Sequence, residues 1–156
     1  MRSRIFHPGS HTATASLGLL ILRASIGPML AVGHGWGKLL DFAESAASFP
    51  DPLGIGHKTS MACTIGAELV CSVLVTLGFA TRLTALPVAF TMGVAVSMVH
   101  ANDPWGKKEF ALLYLIPFLV LAFTGAGKYS LDALGGHSAF SSNSPSYPSR
   151  RHHRAV

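Results

Sequence analysis

Four predominantly apolar segments follow one another along the chain, each close to the length that a membrane-crossing helix needs. They run from Ser16 to Val32, from Met61 to Phe79, from Leu83 to Val99 and from Glu109 to Phe123. A helix rises about 1.5 Å per residue, so roughly 20 apolar residues cross the ~30 Å hydrocarbon core of a bilayer. The fourth segment is the shortest and is expected to run on to Ala126. The pattern predicts an all-α fold, an integral membrane four-helix bundle with short loops.

Composition supports the membrane interpretation. Hydrophobic residues make up 49% of the 156 residues and charged residues only 12%, whereas a soluble domain carries about 25% charged residues. Too few polar side chains remain to cover a water-soluble globule of this size. In a membrane protein the net charge of +5 relates to orientation and to anionic lipid. The predicted partner is therefore the lipid bilayer and not nucleic acid, for which no motif is present.

Polar segments flank the predicted bundle. The expected organisation is a cytoplasmic tail, one membrane domain and a disordered basic tail, over residues 1–15, 16–134 and 135–156. A cleaved signal peptide is the alternative for the first apolar segment, but Arg23 interrupts that segment and no small-residue cleavage site follows it. Between the first two helices, Gly33 to Lys58 is predicted as a loop, with a short interfacial helix over Leu39 to Phe49.

Lysine and arginine predict the orientation, because they are enriched in cytoplasmic loops. With four spans, both termini lie on one side of the membrane. The basic residues on that side are Arg2, Arg4, Arg82, Lys128, Arg150, Arg151 and Arg154, and those on the other side are Lys38, Lys58, Lys107 and Lys108. This excess predicts that both termini are cytoplasmic.

Two ionisable side chains lie well inside the apolar segments, Arg23 in the first and Glu68 in the second. A charge at the bilayer centre costs about 2.5–3.5 kcal/mol on insertion scales, so such groups face the bundle interior and find a partner. Helix rise places Arg23 about 10 Å and Glu68 about 16 Å from the cytoplasmic edge. We therefore predict an Arg23–Glu68 ion pair. The pair either fixes how two helices dock or forms a polar, proton-relaying site with both residues as candidate catalytic groups.

A second polar group lies at the opposite ends of the segments. His34 and Lys38 follow the first segment, His100 follows the third, and Glu109 begins the fourth. Such residues are common interfacial anchors. Alternatively, they form the mouth of a pocket above Glu68 that binds an anion or a quinone carbonyl. These four residues are therefore the candidate binding residues.

Cofactor motifs are missing from the sequence. It contains no P-loop, dinucleotide fingerprint, haem-attachment motif or nucleophile elbow. Cys63 and Cys71 are separated by about 12 Å of helix, too far for a disulfide, and are predicted to be packing residues. No metal site is expected. A redox role would therefore need a bound quinone or a partner subunit.

Several short motifs with polar residues follow one another along the chain in a characteristic order. The motifs are Arg23 with Gly27, H-G-W-G-K from His34 to Lys38, Glu68, L-G-F-A-T-R from Leu77 to Arg82, H-A-N-D-P-W from His100, Glu109, and G-A-G-K-Y-S-L-D from Gly125 to Asp132. From about Leu17 to Leu134 this series resembles the DoxX family of small four-helix integral membrane proteins. The matching motif positions are Arg23, Gly35, Lys38, Glu68, Gly78, Arg82, His100, Glu109, Gly125, Gly127, Ser130 and Asp132.

The resemblance implies a multi-pass protein of the bacterial plasma (inner) membrane. Members of the family include subunits of a terminal quinol oxidase and of a thiosulfate:quinone oxidoreductase, and another is linked to a membrane oxidoreductase complex. The expectation is a redox-associated subunit that binds quinone or partners a quinone-linked oxidoreductase, with a homo-oligomer as a further option. The alternative is a non-enzymatic membrane scaffold or small-solute carrier in which Arg23 and Glu68 are a structural pair.

Overall fold

The computed structural model describes residues 12–134, and within that range it consists of helices and loops without strands. The helices are α1 Ala13–Leu40, α2 Phe42–Ser45, α3 His57–Leu77, α4 Thr81–Val99 and α5 Trp105–Thr124. A helical turn at residues 131–134 follows. The tails were predicted at residues 1–15 and 135–156, and of these only residues 12–15 are described. Helix α1 already begins at Ala13.

Three helices, α1, α3 and α4, are long and apolar enough to cross a membrane. Helix α5 has 20 residues, but Lys107, Lys108 and Glu109 lie near its start, so its apolar stretch begins only at Phe110. The all-helical architecture and the bilayer environment are confirmed. The crossing by α5, which the four-span bundle requires, stays a prediction.

Helix α1 is longer than the sequence predicted. Residues 33–38, predicted as loop, continue the helix to Leu40, and only the short α2 forms within the predicted interfacial helix at 39–49. The error came from the glycines of this stretch, which lower helix propensity in water. In membrane bundles, small residues instead occur inside helices where another backbone comes close.

Glycine allows α1 and α3 to pack backbone to backbone. A Cβ atom added to Gly35 would lie 2.8 Å from the amide nitrogen of Leu69, and one added to Gly27 would lie 2.9 Å from the carbonyl oxygen of Ser72. Neither position has room for a side chain. Because the helices are antiparallel, these contacts fix their register, with Gly35 at the level of Glu68 and Leu69.

The main apolar core lies where α1, α3, α4 and α5 meet. Its buried residues are Leu30, Val75, Ala85, Val88, Ala89, Met92, Ala111, Phe118 and Leu121. A second cluster brings the segment after α1 against the first half of α3; its residues are Ala46, Met61 and Ile65, with Phe42, Phe49 and Leu69 packed on them. We call the end of the bundle where α1 and α4 end and α3 and α5 begin the upper end, and the opposite end the lower end.

The chain after α5 folds back against the lower end of the bundle. Gly125 and Gly127 have φ angles of 82° and 77°, a region that glycine adopts without steric cost. The buried carboxylate of Asp132 then accepts hydrogen bonds from the backbone N–H groups of Ala80 at 2.7 Å and Thr81 at 3.0 Å. Asp132 thus caps the start of α4 from a distant part of the sequence, a position at which a carboxylate is favoured by the helix dipole.

Candidate functional site

The predicted ion pair between Arg23 and Glu68 is wrong. The Arg23 guanidinium is buried and donates to the backbone oxygen of Thr76, at the end of α3, and to that of Tyr129, in the returning C-terminal segment. The negative charge of Asp132 also attracts the guanidinium group. A cation at a helix C-terminus is favoured by the helix dipole. Arg23 therefore joins α1, α3 and the C-terminal segment at the lower end.

Helix register explains the error. The depths of Arg23 and Glu68 were counted from assumed helix ends, whereas the close contact at Gly35 sets the true level of Glu68. Arg23 lies about 18 Å below Gly35 by helix rise, further than an arginine side chain reaches. The same register places Lys38 one turn above Gly35, on the face of α1 that approaches α3.

Glu68 binds Lys38. Nζ of Lys38 lies 2.5 Å from Oε2 of Glu68, and the exposed fractions of the two side chains are 26% and 6%. The side chain of Glu68 is thus almost fully enclosed, while that of Lys38 stays partly exposed. Because each charge compensates the other, the pair can persist among apolar helices, where a lone charge would be costly.

The ion pair coincides with a rare helical distortion. Helix α3 is π-helical over Gly66–Cys71, which includes Glu68, and α1 is π-helical over Ala31–Gly35, which includes His34. Helix α4 is π-helical over Ala95–Val99, just before His100. The π-helical turns of α1 and α3 contact each other. Such turns occur frequently at functional sites, and here each adjoins or includes a residue that the sequence identified as a candidate.

A cavity of about 520 Å³ opens beside Lys38, between α3, α4 and the loop that precedes α3. This volume lies within the ~300–1,000 Å³ range of small-molecule sites. Lys38 and His100 supply charged or titratable groups to a mostly apolar lining, whose residues include Phe49, Pro52, Leu53, Ile55, Ala67, Phe90 and Val94. The predicted binding residues Lys38 and His100 are therefore brought to one cavity.

The loop wall of this cavity is held by Asp51, which the sequence analysis did not single out. Its carboxylate accepts hydrogen bonds from the hydroxyl of Ser60 at 2.7 Å and from the N–H groups of Ile55 at 3.0 Å and Gly56 at 2.8 Å. These bonds, the Ser60 bond most of all, lower the pKa of Asp51. An aspartate followed by proline and glycines is typical of such a turn, and that signal could have identified it.

His100 lines both the large cavity and a smaller one of about 100 Å³, which His34 also lines. Its Nδ1 lies 2.7 Å from Oδ2 of Asp103, and Nζ of Lys107 lies 3.6 Å from the same oxygen. The hydrogen bond with His100 is the main reason that the pKa of Asp103 is lowered. His34 packs edge-on against Tyr114, with 5.5 Å between ring centroids. His34 thus belongs to the smaller cavity alone.

Glu109 does not belong to the pocket mouth. It is exposed on the first turns of α5 and lines neither cavity. The sequence placed Glu109 at the correct end of the bundle, but the rotation of α5 turns it outward. Within residues 12–134, no group of three or more potential ligands is placed to hold a metal ion. The candidate site therefore consists of the large cavity, Lys38 with Glu68, and His100 with Asp103.

Comparison with known proteins gives consistent matches along the chain. The sequence profile of the DoxX family matches residues 18–101. The chain is 35% identical over 118 residues to the putative oxidoreductase CatD of Bacillus subtilis, covering 74% of this chain and 85% of that protein.

Two further relatives extend the comparison. The inner membrane protein YqjF of Escherichia coli is 29% identical over 122 residues, covering 76% of this chain and 92% of YqjF. An uncharacterised protein of Haemophilus influenzae is 32% identical over 107 residues, covering 65% of this chain and 68% of the relative. No solved structure matches the chain. The profile match, together with the CatD match, shows that this membrane protein belongs to the DoxX family.

Proposed function

We propose that this protein is a redox-associated subunit of the bacterial inner membrane that binds a quinone in the large cavity. The observation that carries the proposal is a preformed, mostly apolar cavity whose lining includes a lysine held by a buried carboxylate. A quinone has a flat apolar ring and two carbonyl oxygens. It therefore needs apolar walls and hydrogen-bond donors at the positions of its oxygens.

The polar residues fit the chemistry of a quinone ring. The ammonium group of Lys38 can donate to one carbonyl oxygen while Glu68 holds it in place. Nδ1–H of His100 donates to the carboxylate of Asp103, so Nε2 can donate to the second oxygen when the imidazole ring carries both protons. Reduction of a quinone to a quinol takes up two electrons and two protons. Lys38, Glu68 and His100 are the candidate groups for proton exchange, and a partner oxidoreductase would supply the electrons, because the sequence contains no motif that binds an electron-carrying cofactor.

The names of the relatives support this assignment. CatD is named a putative oxidoreductase and YqjF an inner membrane protein. In the proposed arrangement α5 is the fourth span, and its outward-facing apolar side chains contact lipid; they are Phe110, Leu113, Ile116, Val120 and Phe123. Both termini are then cytoplasmic, so that the upper end and its cavity face the periplasmic side.

A scaffold or small-solute carrier is the second candidate function. Arg23 and Asp132 favour it, because their contacts hold helix ends and the returning C-terminal segment together. In that case the Lys38–Glu68 pair has the same purpose for α1 and α3. The two functions differ in one measurable property, the binding of a quinone.

The deciding experiment measures quinone in the purified protein reconstituted in lipid nanodiscs. The variants are Lys38→Gln, the double variant Lys38→Gln/Glu68→Gln, which leaves no unpaired charge, and the control Lys58→Gln. Lys58 is exposed at the upper end and does not line the cavity. We expect a stoichiometric quinone in the wild type and in Lys58→Gln, and its loss in the double variant at unchanged thermal stability. A wild type that neither retains nor binds added quinone would favour the scaffold.

A further inference from the structure

Two residues that line the large cavity are also exposed on the outer faces of α3 and α4. Cys63 on α3 and Phe90 on α4 both line the cavity, and both are exposed on the outer surface, Phe90 with 62% of its area accessible. Each lies inside a helix that is long and apolar enough to cross a membrane. The medium that surrounds these two exposed side chains is therefore the bilayer and not water.

Helix rise gives the depth of these two side chains. Cys63 lies about 9 Å below the start of α3, and Phe90 lies about 14 Å below the end of α4. Half of the ~30 Å hydrocarbon core is about 15 Å. Both residues thus fall within the leaflet at the upper end of the bundle, at a depth occupied by lipid acyl chains.

The cavity combines two basic side chains with residues exposed on the outer faces of its helices. The two basic groups are Lys38 of α1 and His100, which follows α4, whereas Cys63 and Phe90 lie on surfaces of α3 and α4 that are exposed outside the bundle. At about 520 Å³ the cavity has the size of a site for a drug-sized molecule, which accommodates a quinone ring and the first part of its tail but not a long polyprenyl chain. A ligand with a polar ring and a long tail would place the ring inside and the tail outside.

We propose that the gap between Cys63 and Phe90 is a lateral portal, through which the hydrocarbon tail of the bound ligand extends into the upper leaflet. The inference rests on the proposed quinone binding and specifies the substrate class. The ligand is a lipid-soluble quinone with a polyprenyl or long alkyl tail that enters from the membrane. A water-soluble ring without a tail leaves the portal empty.

The test compares two probes in nanodiscs, decylubiquinone and tetramethylbenzoquinone. Both rings are fully substituted, so a thiol has no free ring position to which it can add. The variant Cys63→Trp narrows the portal, and the control Val73→Trp adds the same side chain at an exposed position of α3 that does not line the cavity. We expect Cys63→Trp to weaken the binding of decylubiquinone about tenfold and to leave the binding of tetramethylbenzoquinone unchanged. Val73→Trp should change the affinity for neither probe.

A second measurement uses the thiol itself as a reporter. In a Cys71→Ser background, Cys63 is the only cysteine, since the chain contains two. Bound decylubiquinone should slow the alkylation of Cys63 by N-ethylmaleimide, and bound tetramethylbenzoquinone should not. If both probes bind but affect Cys63 equally, and Cys63→Trp weakens both or neither, the portal is refuted and quinone binding stands. If the wild type binds neither probe, the proposed function fails and the portal fails with it.

Discussion

Replacing Gly35 by alanine tests the contact that brings the candidate site together. The added Cβ would lie 2.8 Å from the amide nitrogen of Leu69 and 2.9 Å from the carbonyl carbon of Glu68. Both atoms belong to the backbone of α3 and cannot rotate away. Relief to an ordinary contact needs a separation of the helices by about 0.5–1 Å, and overpacking of this kind costs about 1–3 kcal/mol.

The matched control is Gly33→Ala, two residues earlier in α1, where an added Cβ meets nothing within 4 Å. Both variants gain up to ~1 kcal/mol of helix propensity, so the difference between them isolates the contact with α3. We expect Gly35→Ala to be less stable than Gly33→Ala by about 2 kcal/mol. Reversible unfolding in mixed micelles by increasing sodium dodecyl sulfate measures this difference.

Gly35→Ala should also weaken quinone binding, because the shift moves Lys38 away from Glu68. The ion pair has a separation of 2.5 Å and tolerates little displacement before the hydrogen bond is lost. If the two alanine variants are equally stable and bind quinone equally, then α1 and α3 are not packed backbone to backbone at Gly35. The explanation of how Lys38 reaches Glu68 would then be refuted.

Three further predictions concern the ion pair, the C-terminal cap and the loop wall. Lys38→Met should destabilise the protein by about 3 kcal/mol, and adding Glu68→Leu should restore most of the loss, because a buried unpaired charge causes the cost. If the losses in free energy of unfolding of the two single variants simply add in the double variant, this explanation is wrong. Asp132→Asn should cost about 2 kcal/mol, because an amide oxygen without charge replaces a carboxylate that accepts two backbone bonds, while Asp41→Asn at an exposed position should stay within about 0.5 kcal/mol. The pKa of Asp51 is lowered from 3.8, so its stabilisation of the loop should be complete above that pH and lost as the pH falls below it. Hydrogen exchange of the Ile55 and Gly56 amides measures this loss, and an Asp51→Asn variant should not show it.

Much of the architecture follows from the order of apolar segments. The positions of α3 and α4, the turn between them and the end of α5 before Gly125 agree with the sequence pattern within a few residues. These features depend on local properties, such as hydrophobic length and the preference of glycine for positive φ angles. They are therefore readable from the sequence alone.

The partners of the buried charges were not readable in this way. Which residue Glu68 meets depends on the level and rotation of α1, and both are set by the backbone contact at Gly35. The same limit explains Glu109, whose direction depends on the rotation of α5. Lys38 and His100 were placed at the correct end of the bundle because the end of an apolar segment fixes the depth of nearby residues. It does not fix which residues of other helices they contact.

The role of Asp132 has a consequence for the biogenesis of the protein. The N–H groups of Ala80 and Thr81 and the guanidinium of Arg23 all contact a segment that is synthesised after α5. When α1, α3 and α4 leave the ribosome and enter the membrane, the start of α4 still lacks its cap. Ala80 also has a φ angle of 46°, which is strained for a residue with a side chain. The helices can therefore insert in order, but the lower end closes only when translation has passed Asp132.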